Sequence, residues 1–211
     1  MICSAAVVAL LSLSGAAQPE AASSGQLLYG GDQHLRAGRV EAALEAYDAA
    51  LAQRPELLPQ LWQRGIALYY AGRWDECTAQ FEAHRTVNPD DVENAAWHLL
   101  CAARRDGLAA ARRTMLPVGP DPRPALAEVY ALYAGRGSAE EVLAAAEVAD
   151  RGGSSARFYA HLYIGLLREI EGAEDEAETH LAKAVEQEFP HFMGDVARLH
   201  LDRLRGTAAR D

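Results

Sequence analysis

The sequence predicts an all-α chain of stacked helix pairs, a solenoid ending in a C-terminal capping helix, and three observations predict it. Gly31 and Gly65, Gly38 and Gly72, Tyr47 and Phe81, and Pro55 and Pro89 are matched pairs, each 34 residues apart, and a period in this range belongs to stacked helical hairpins. The apolar residues between these markers recur at helical spacing. Composition permits a full core: 211 residues, 50% hydrophobic and 24% charged, are ordinary for one globular domain.

At the amino end, Ile2 to Leu13 is apolar or small, and Gly15-Ala16-Ala17 before Gln18-Pro19 has the small-x-small form that a signal peptidase accepts. Residues 1–17 are therefore expected to be a signal peptide and 18–25 a linker, which places the mature protein in a periplasm or an organelle lumen. No Lys or Arg precedes the apolar run, and if the segment is not a signal the expectation is the cytoplasm. The run is shorter than the roughly 20 residues of a membrane-spanning helix, and no later segment qualifies.

A single domain is expected over 26–206, with 207–211 as a tail. Its first repeat spans about 26–57 and its second 58–91. In the second, Leu61, Gly65 and Leu68 share one helix face, Gly72 ends that helix, and the next begins near Arg73 and turns Cys77 and Phe81 inward. Gly31 and Gly65 allow close approach of the paired helix, Gly38 and Gly72 permit the tight turn, and Pro55 and Pro89 stop the second helix.

A degenerate repeat comes next, at 92–116. Asn88-Pro89-Asp90-Asp91 caps a helix through Trp97 to Ala103, Leu108 to Met115 is its partner, and Leu99 stands where a small residue belongs. The proline-rich stretch Pro117 to Pro124 precedes an irregular pair at 121–149. Asp121 is expected to cap a helix over about Pro122 to Tyr133, and Ser138-Ala139-Glu140-Glu141 has the capping-box form. After Arg151-Gly152-Gly153-Ser154-Ser155 the repeat returns at 156–190 through Gly165, Gly172, Ala177, Leu181 and Ala184. A cap at 192–206 lays Val196 and Leu199 on the last pair.

The segment from about Ser24 to Asp91 resembles the tetratricopeptide repeat. Arg64-Gly65-Ile66-Ala67-Leu68-Tyr69-Tyr70 with Gly72-Arg73, then Asn88-Pro89-Asp90-Asp91, Trp97 and Val118 to Pro124, is similar to the bacterial new-lipoprotein-I adaptors and to tetratricopeptide proteins of plants and algae. For residues 26–190 this resemblance implies a periplasmic helical scaffold, often dimeric, that brings a carboxy-terminal-processing protease to cell-wall hydrolases. The chain departs from that group in lacking the lipidation motif around Cys3 and in its shorter amino end. The resemblance gives no carboxylate clamp for acidic chaperone tails, because the matching places hold Leu28 and Asp32.

In such a solenoid the first helices line the concave side. The faces left over from packing are Leu28, Asp32, Leu35 and Arg36 in one copy and Trp62, Ile66, Tyr69 and Tyr70 in the next. They are expected to form a protein- or peptide-binding groove, since aromatic and arginine side chains are favoured interface anchors. The competing reading packs Tyr69 or Tyr70 under the terminal helix as core.

Charge narrows the partners. Lys plus Arg is 20 against 30 for Asp plus Glu, a formal net charge of −10, which repels a phosphate backbone and disfavours nucleic acid. Among the seven histidines no pair has zinc-site spacing; Glu176 and His180 sit i, i+4, too few ligands for a metal. No metal or cofactor is therefore expected. Gly135-Arg136-Gly137 and Arg151-Gly152-Gly153 lack the Lys-Ser/Thr of a phosphate loop, and neither Cys77 nor Cys101 has a nominated base. Those two cysteines either pair in an oxidising compartment or serve as small apolar fillers. The expectation is a non-enzymatic scaffold for proteins or peptides, with a homodimer left open. The alternative is a self-associating subunit for assembly of a membrane-associated complex.

Overall fold

The structure, a computed structural model, describes residues 22–150 and 155–206. The expected signal segment and the tail lie outside the described residues, as do residues 151–154 of the glycine–serine loop. Among the described residues the chain is all-helical with no strand. Helices α1 (Ser24–Arg36) and α2 (Val40–Gln53) are followed by a 3-10 turn (Pro55–Gln60), then by α3 (Trp62–Tyr70) and α4 (Trp74–Arg85). The chain continues through α5 (Val92–Asp106), α6 (Leu108–Arg113), α7 (Leu126–Tyr133), α8 (Ala139–Asp150), α9 (Ala156–Ile170), α10 (Glu174–Val185) and α11 (Phe192–Leu204).

The repeated glycines set how the pairs pack. A Cβ on Gly31 would come within 2.6 Å of the Tyr47 ring, and one on Gly65 within 2.6 Å of the Phe81 ring. Each glycine thus admits an aromatic side chain from the second helix of its pair. Gly165 leaves the same space for Leu181, whose Cγ would stand 2.8 Å from an added Cβ. At the turns Gly38 and Gly72 hold φ of +77° and +72°. There Arg39 N–H donates to the His34 carbonyl and Arg73 N–H to that of Leu68, closing helix ends that would otherwise stay unpaired.

Two helix starts carry reciprocal capping boxes, and the second is the Ser138 box expected from the sequence. Ser23 and Gln26 form a reciprocal capping box at α1. At α8, Glu141 N–H donates to Ser138 Oγ at 3.2 Å while the Glu141 carboxylate accepts from Ser138 N–H at 2.8 Å. The proline-rich stretch differs from expectation. The helix begins at Leu126, not Pro122, after Ala125 at φ +66°. Asp121 caps a different helix: its Oδ2 accepts Val92 N–H at 3.2 Å at the start of α5, while Oδ1 accepts Arg123 N–H at 3.0 Å. That pair of bonds holds residues 121–123 across the end of α5.

Helix α5 is the centre of the molecule. Helices α4, α6, α7 and α9 pack around it, and every residue from Asn94 to Ala103 is buried, as an element surrounded on all sides requires. Leu99, which stands where Gly31 and Gly65 stand in the earlier segments, is fully buried in this surrounded helix. Cys77 of α4 and Cys101 of α5 form a disulfide with Cα atoms 5.9 Å apart, within the range such a bridge requires.

The last helix packs on α10 and also reaches the first. Arg36 pairs with Asp195, the Trp62 and Phe192 rings meet edge to face at 5.2 Å, and Tyr70 Oη lies 3.2 Å from His200 Nδ1. The succession of helices therefore curls until α11 covers the inner faces of α1 and α3.

Candidate binding cavity

Where α11 crosses α3 and α5 it leaves a cavity of about 260 Å³. Trp62, Phe81, Trp97 and Tyr159 give it aromatic walls, and Asp91, Glu93, Asn94 and Arg123 supply its polar groups. These residues come from helices α3, α4, α5 and α9 and from the two loops that meet at the start of α5.

The polar side is organised by Arg123. Its guanidinium forks onto Asp121, with Nε–H donating to Oδ1 at 3.0 Å and Nη2–H to Oδ2 at 2.6 Å, and it also pairs with Asp91 and Glu93. A planar guanidinium suits this arrangement because it offers several donors in fixed directions. Asp91 in turn accepts Glu93 N–H at 3.0 Å as the cap of α5. Three carboxylates share one guanidinium, which leaves an excess of negative charge when all are ionised.

Their environments separate the acids. Burial pushes Glu93 up to about 7; Arg123 opposes this, and the neighbouring Asp91 charge adds to it. Burial also works against ionised Asp121, but hydrogen bonds from Arg123 and from Val92 N–H outweigh it and bring the acid below its usual value. Tyr163 Oη–H donates to Glu93 Oε2 at 2.5 Å from α9.

Two polar atoms of the cavity residues lack a partner. Asn94 donates from Nδ2 to the Phe81 carbonyl at 3.1 Å, which fixes the amide orientation and leaves Oδ1 without a donor. Trp97 Nε1–H has no acceptor. Asn94 is 3% exposed and Trp97 2%, and they stand i, i+3 on one helix face. A buried polar atom left unpaired costs about 1–3 kcal/mol, and both of these atoms are closed off from solvent within the helix packing.

The groove residues expected from sequence fall mostly elsewhere. Leu35, Ile66, Tyr69 and Tyr70 are buried, with Tyr70 beneath α11 in line with the competing reading. Asp32 accepts from Tyr47 Oη–H at 2.7 Å, Arg36 pairs with Asp195 on α11, and Leu28 packs half-buried on the core. Trp62, half-buried, is the member that lines the cavity. The physical reason is α11: the amphipathic helix expected to cap the final pair packs on α10 and also reaches across to α1 and α3.

On the other flank of α11 a cleft of about 390 Å³ is lined by Tyr69, Tyr70, Trp74 and Arg104. Its charges satisfy one another. Arg104 pairs with Glu169 at 2.6 Å and donates to Tyr69 Oη at 3.1 Å, while His200 Nε2 lies 3.0 Å from Glu169. It offers a ligand less than the cavity does. Among the described residues no group of three or more His, Cys, Asp and Glu could hold a metal ion, and no helix is long and apolar enough to cross a membrane.

Sequence reasoning placed Asp91, Trp97 and Asp121 in caps and repeat markers and missed Glu93, Asn94 and Arg123. A signal was present: Glu93 and Asn94, with His98, are the polar residues in a stretch from Val92 to Ala103 that is otherwise apolar or small. No known protein-family model matches the chain.

Proposed function

We propose that this chain is a non-enzymatic scaffold of tetratricopeptide type that binds a protein or peptide, and that the cavity between α3, α5 and α11 is where it takes hold. The repeat reading is supported by the agreement between the 34-residue spacing and the Gly31–Tyr47 and Gly65–Phe81 approaches. One observation carries the binding reading: a cavity of about 260 Å³ in which the aromatic side chains of Trp62, Phe81, Trp97 and Tyr159 meet the polar groups of Asp91, Glu93 and Arg123. Residence in an exported compartment is supported by the small-x-small site after the apolar leader and by the Cys77–Cys101 bridge, since disulfides persist where the surroundings oxidise. Service as an adaptor for an envelope protease or cell-wall hydrolase rests on the family resemblance.

The test is a cross-linked pull-down from native extract with the full chain as bait, beside Trp62→Ala, which removes a half-buried side chain from the cavity wall. A protein recovered by the wild type and depleted at least fivefold with the variant supports the reading. Equal recovery by both, or recovery of the bait alone, refutes the cavity as the binding element. Sedimentation of the purified chain separates the assembly-subunit alternative, which requires a stable oligomer without any partner.

A further inference from the structure

We propose that the facing imidazoles of His161 on α9 and His180 on α10 form an acid-sensitive latch: neutral, they join the two helices through one N–H···N hydrogen bond, and with a proton on each they release α10 from α9.

The geometry leaves room for one hydrogen. His161 Nδ1 lies 2.9 Å from His180 Nδ1, with the ring centroids 5.1 Å apart. A neutral imidazole carries one N–H and one bare nitrogen, so two neutral rings of opposite tautomer satisfy this contact, one donating from Nδ1 and the other accepting there. A first added proton can sit on the far nitrogen of the donor ring and keep the bond. A second must go onto the accepting Nδ1. That sets two N–H groups against each other in the same gap and places two positive charges side by side.

The position of the pair makes this a device of the fold. His161 stands one turn before Gly165, and His180 adjoins Leu181, whose Cγ would lie 2.8 Å from a Cβ on Gly165. The latch thus borders a close approach of α9 and α10, where a small separation unseats Leu181. Helix α10 is also the seat of α11, through packing and the Arg205–Glu178 pair at 2.7 Å.

The surroundings favour the neutral, closed form. Burial brings His161 down to about 4, helped by the charges of His180, Lys183 and Arg157. Burial also lowers His180, helped by Lys183 and Arg168 and opposed by Glu176, a carboxylate that is 61% exposed and pairs with Arg168 at 3.0 Å. Of the other helices packed on this pair, α5 directs Glu93 to Tyr163, α8 directs Asp150 to Arg157 and α11 directs Arg205 to Glu178. Those groups, and Glu128 of α7, do not enter the balance at either ring.

The experiment is amide hydrogen exchange of the full chain at about pH 7 and about pH 5, corrected for the intrinsic pH dependence of exchange, with α2 as internal reference. Over that interval, an opening that frees a ring held from 6.5 down to about 4 becomes about 20-fold easier, because the freed ring takes up a proton. The expected result is that α10 opens about 20-fold more often at the lower pH, relative to α2. Proton–nitrogen correlation spectra of the imidazoles at neutral pH should show opposite tautomers for the two rings. His161→Asn puts an amide near the place of Nδ1 and takes no proton, so the acid response of α10 should vanish. His180→Asn gives a charged His161 an acceptor, and should cut the response to below about fivefold. The same tautomer in both rings, an equal change in α10 and α2, or an undiminished response in either variant overturns the latch. The tautomers and the α2 comparison are read on the wild type, so they decide even where a variant fails to fold.

Discussion

The Arg36 side chain on the first helix pairs with Asp195 on the last and lies over the Phe192 ring, 4.9 Å from its centroid. These residues come from opposite ends of the described chain, and their meeting is what closes the concave side. The contact has a polar and an apolar component of very different weight. The guanidinium is 38% exposed, whereas Phe192 is 5% exposed and wedged against Trp62.

A first prediction concerns which component holds the closure. Phe192→Ala should cost about 3–5 kcal/mol, the range for deleting a buried aromatic side chain, while Arg36→Ala should cost less than about 1 kcal/mol, as a partly exposed ion pair does. Urea unfolding midpoints measure both. The reverse order of the two variants would mean that the ion pair, and not the apolar seam, fixes α11.

Neighbouring glycines of α1 provide a second prediction. Gly30 has nothing within 4 Å of an added Cβ, whereas an added Cβ on Gly31 overlaps the Tyr47 ring, itself 1% exposed and held by Asp32. Gly30→Ala should stabilise by up to about 1 kcal/mol through helix propensity. Gly31→Ala should destabilise by about 1–3 kcal/mol through overpacking, despite the same gain in propensity. Thermal melts of the two single variants decide it, and a Gly31→Ala protein as stable as wild type would remove close approach as the reason for the repeated glycine.

Much of the helical plan was legible because it is local. The 34-residue period, the Gly38 and Gly72 turns and the Ser138 box are written in short stretches, and each depends on backbone conformation or on one neighbouring helix. The irregular middle was less so. Asp121 reads as the cap of its own helix because only its neighbours along the chain are visible in a sequence; that it serves α5 instead depends on a fold that brings residue 121 back to residue 92. The burial of most of the expected groove residues was hidden for the same reason. Tyr69 and Tyr70 have the phase of an open concave face, and nothing local to α3 reveals that α11 returns to cover it. Glu93, Asn94 and Arg123 gain their meaning from being buried together, which is a tertiary fact.

A third prediction concerns Cys77 and Cys101. The full-length chain has three cysteines, so thiol titration of the unfolded, oxidised protein should count one, belonging to Cys3, and the reduced protein three. The bridge closes a loop between residues 24 apart, for which a stabilisation of about 2–4 kcal/mol is typical. Reduction should lower the urea midpoint accordingly, with Cys77→Ala/Cys101→Ala matching the reduced wild type and insensitive to reductant. Three thiols in the oxidised protein would assign both residues to simple core packing.

The last prediction uses Glu93. Its folded-state pKa is raised by burial from 4.5 to about 7. Across that window the folded state keeps a proton that the unfolded chain has released, so this residue's contribution to stability falls as pH rises from about 4.5 to 7. The full fall corresponds to about 3 kcal/mol. Histidines obscure it in the wild type, because His161, lowered to about 4 by burial and then by the His180 charge, contributes in the opposite direction, and His98, His180 and His191 are lowered as well. A group so depressed makes stability rise with pH as the unfolded chain loses its proton near 6.5. The raw pH profile of the wild type therefore mixes both signs, and the difference between Glu93→Gln and wild type isolates the carboxyl. That difference should be small near pH 4.5, where Glu93 is protonated and resembles the amide, and should grow through pH 7 in favour of the variant. A carboxylate that makes the folded chain less stable at neutral pH is the kind of cost a binding site carries and a purely structural one does not need. If the difference stays flat from pH 4.5 to 8, Glu93 ionises freely in the folded protein and the cavity holds its charge without penalty.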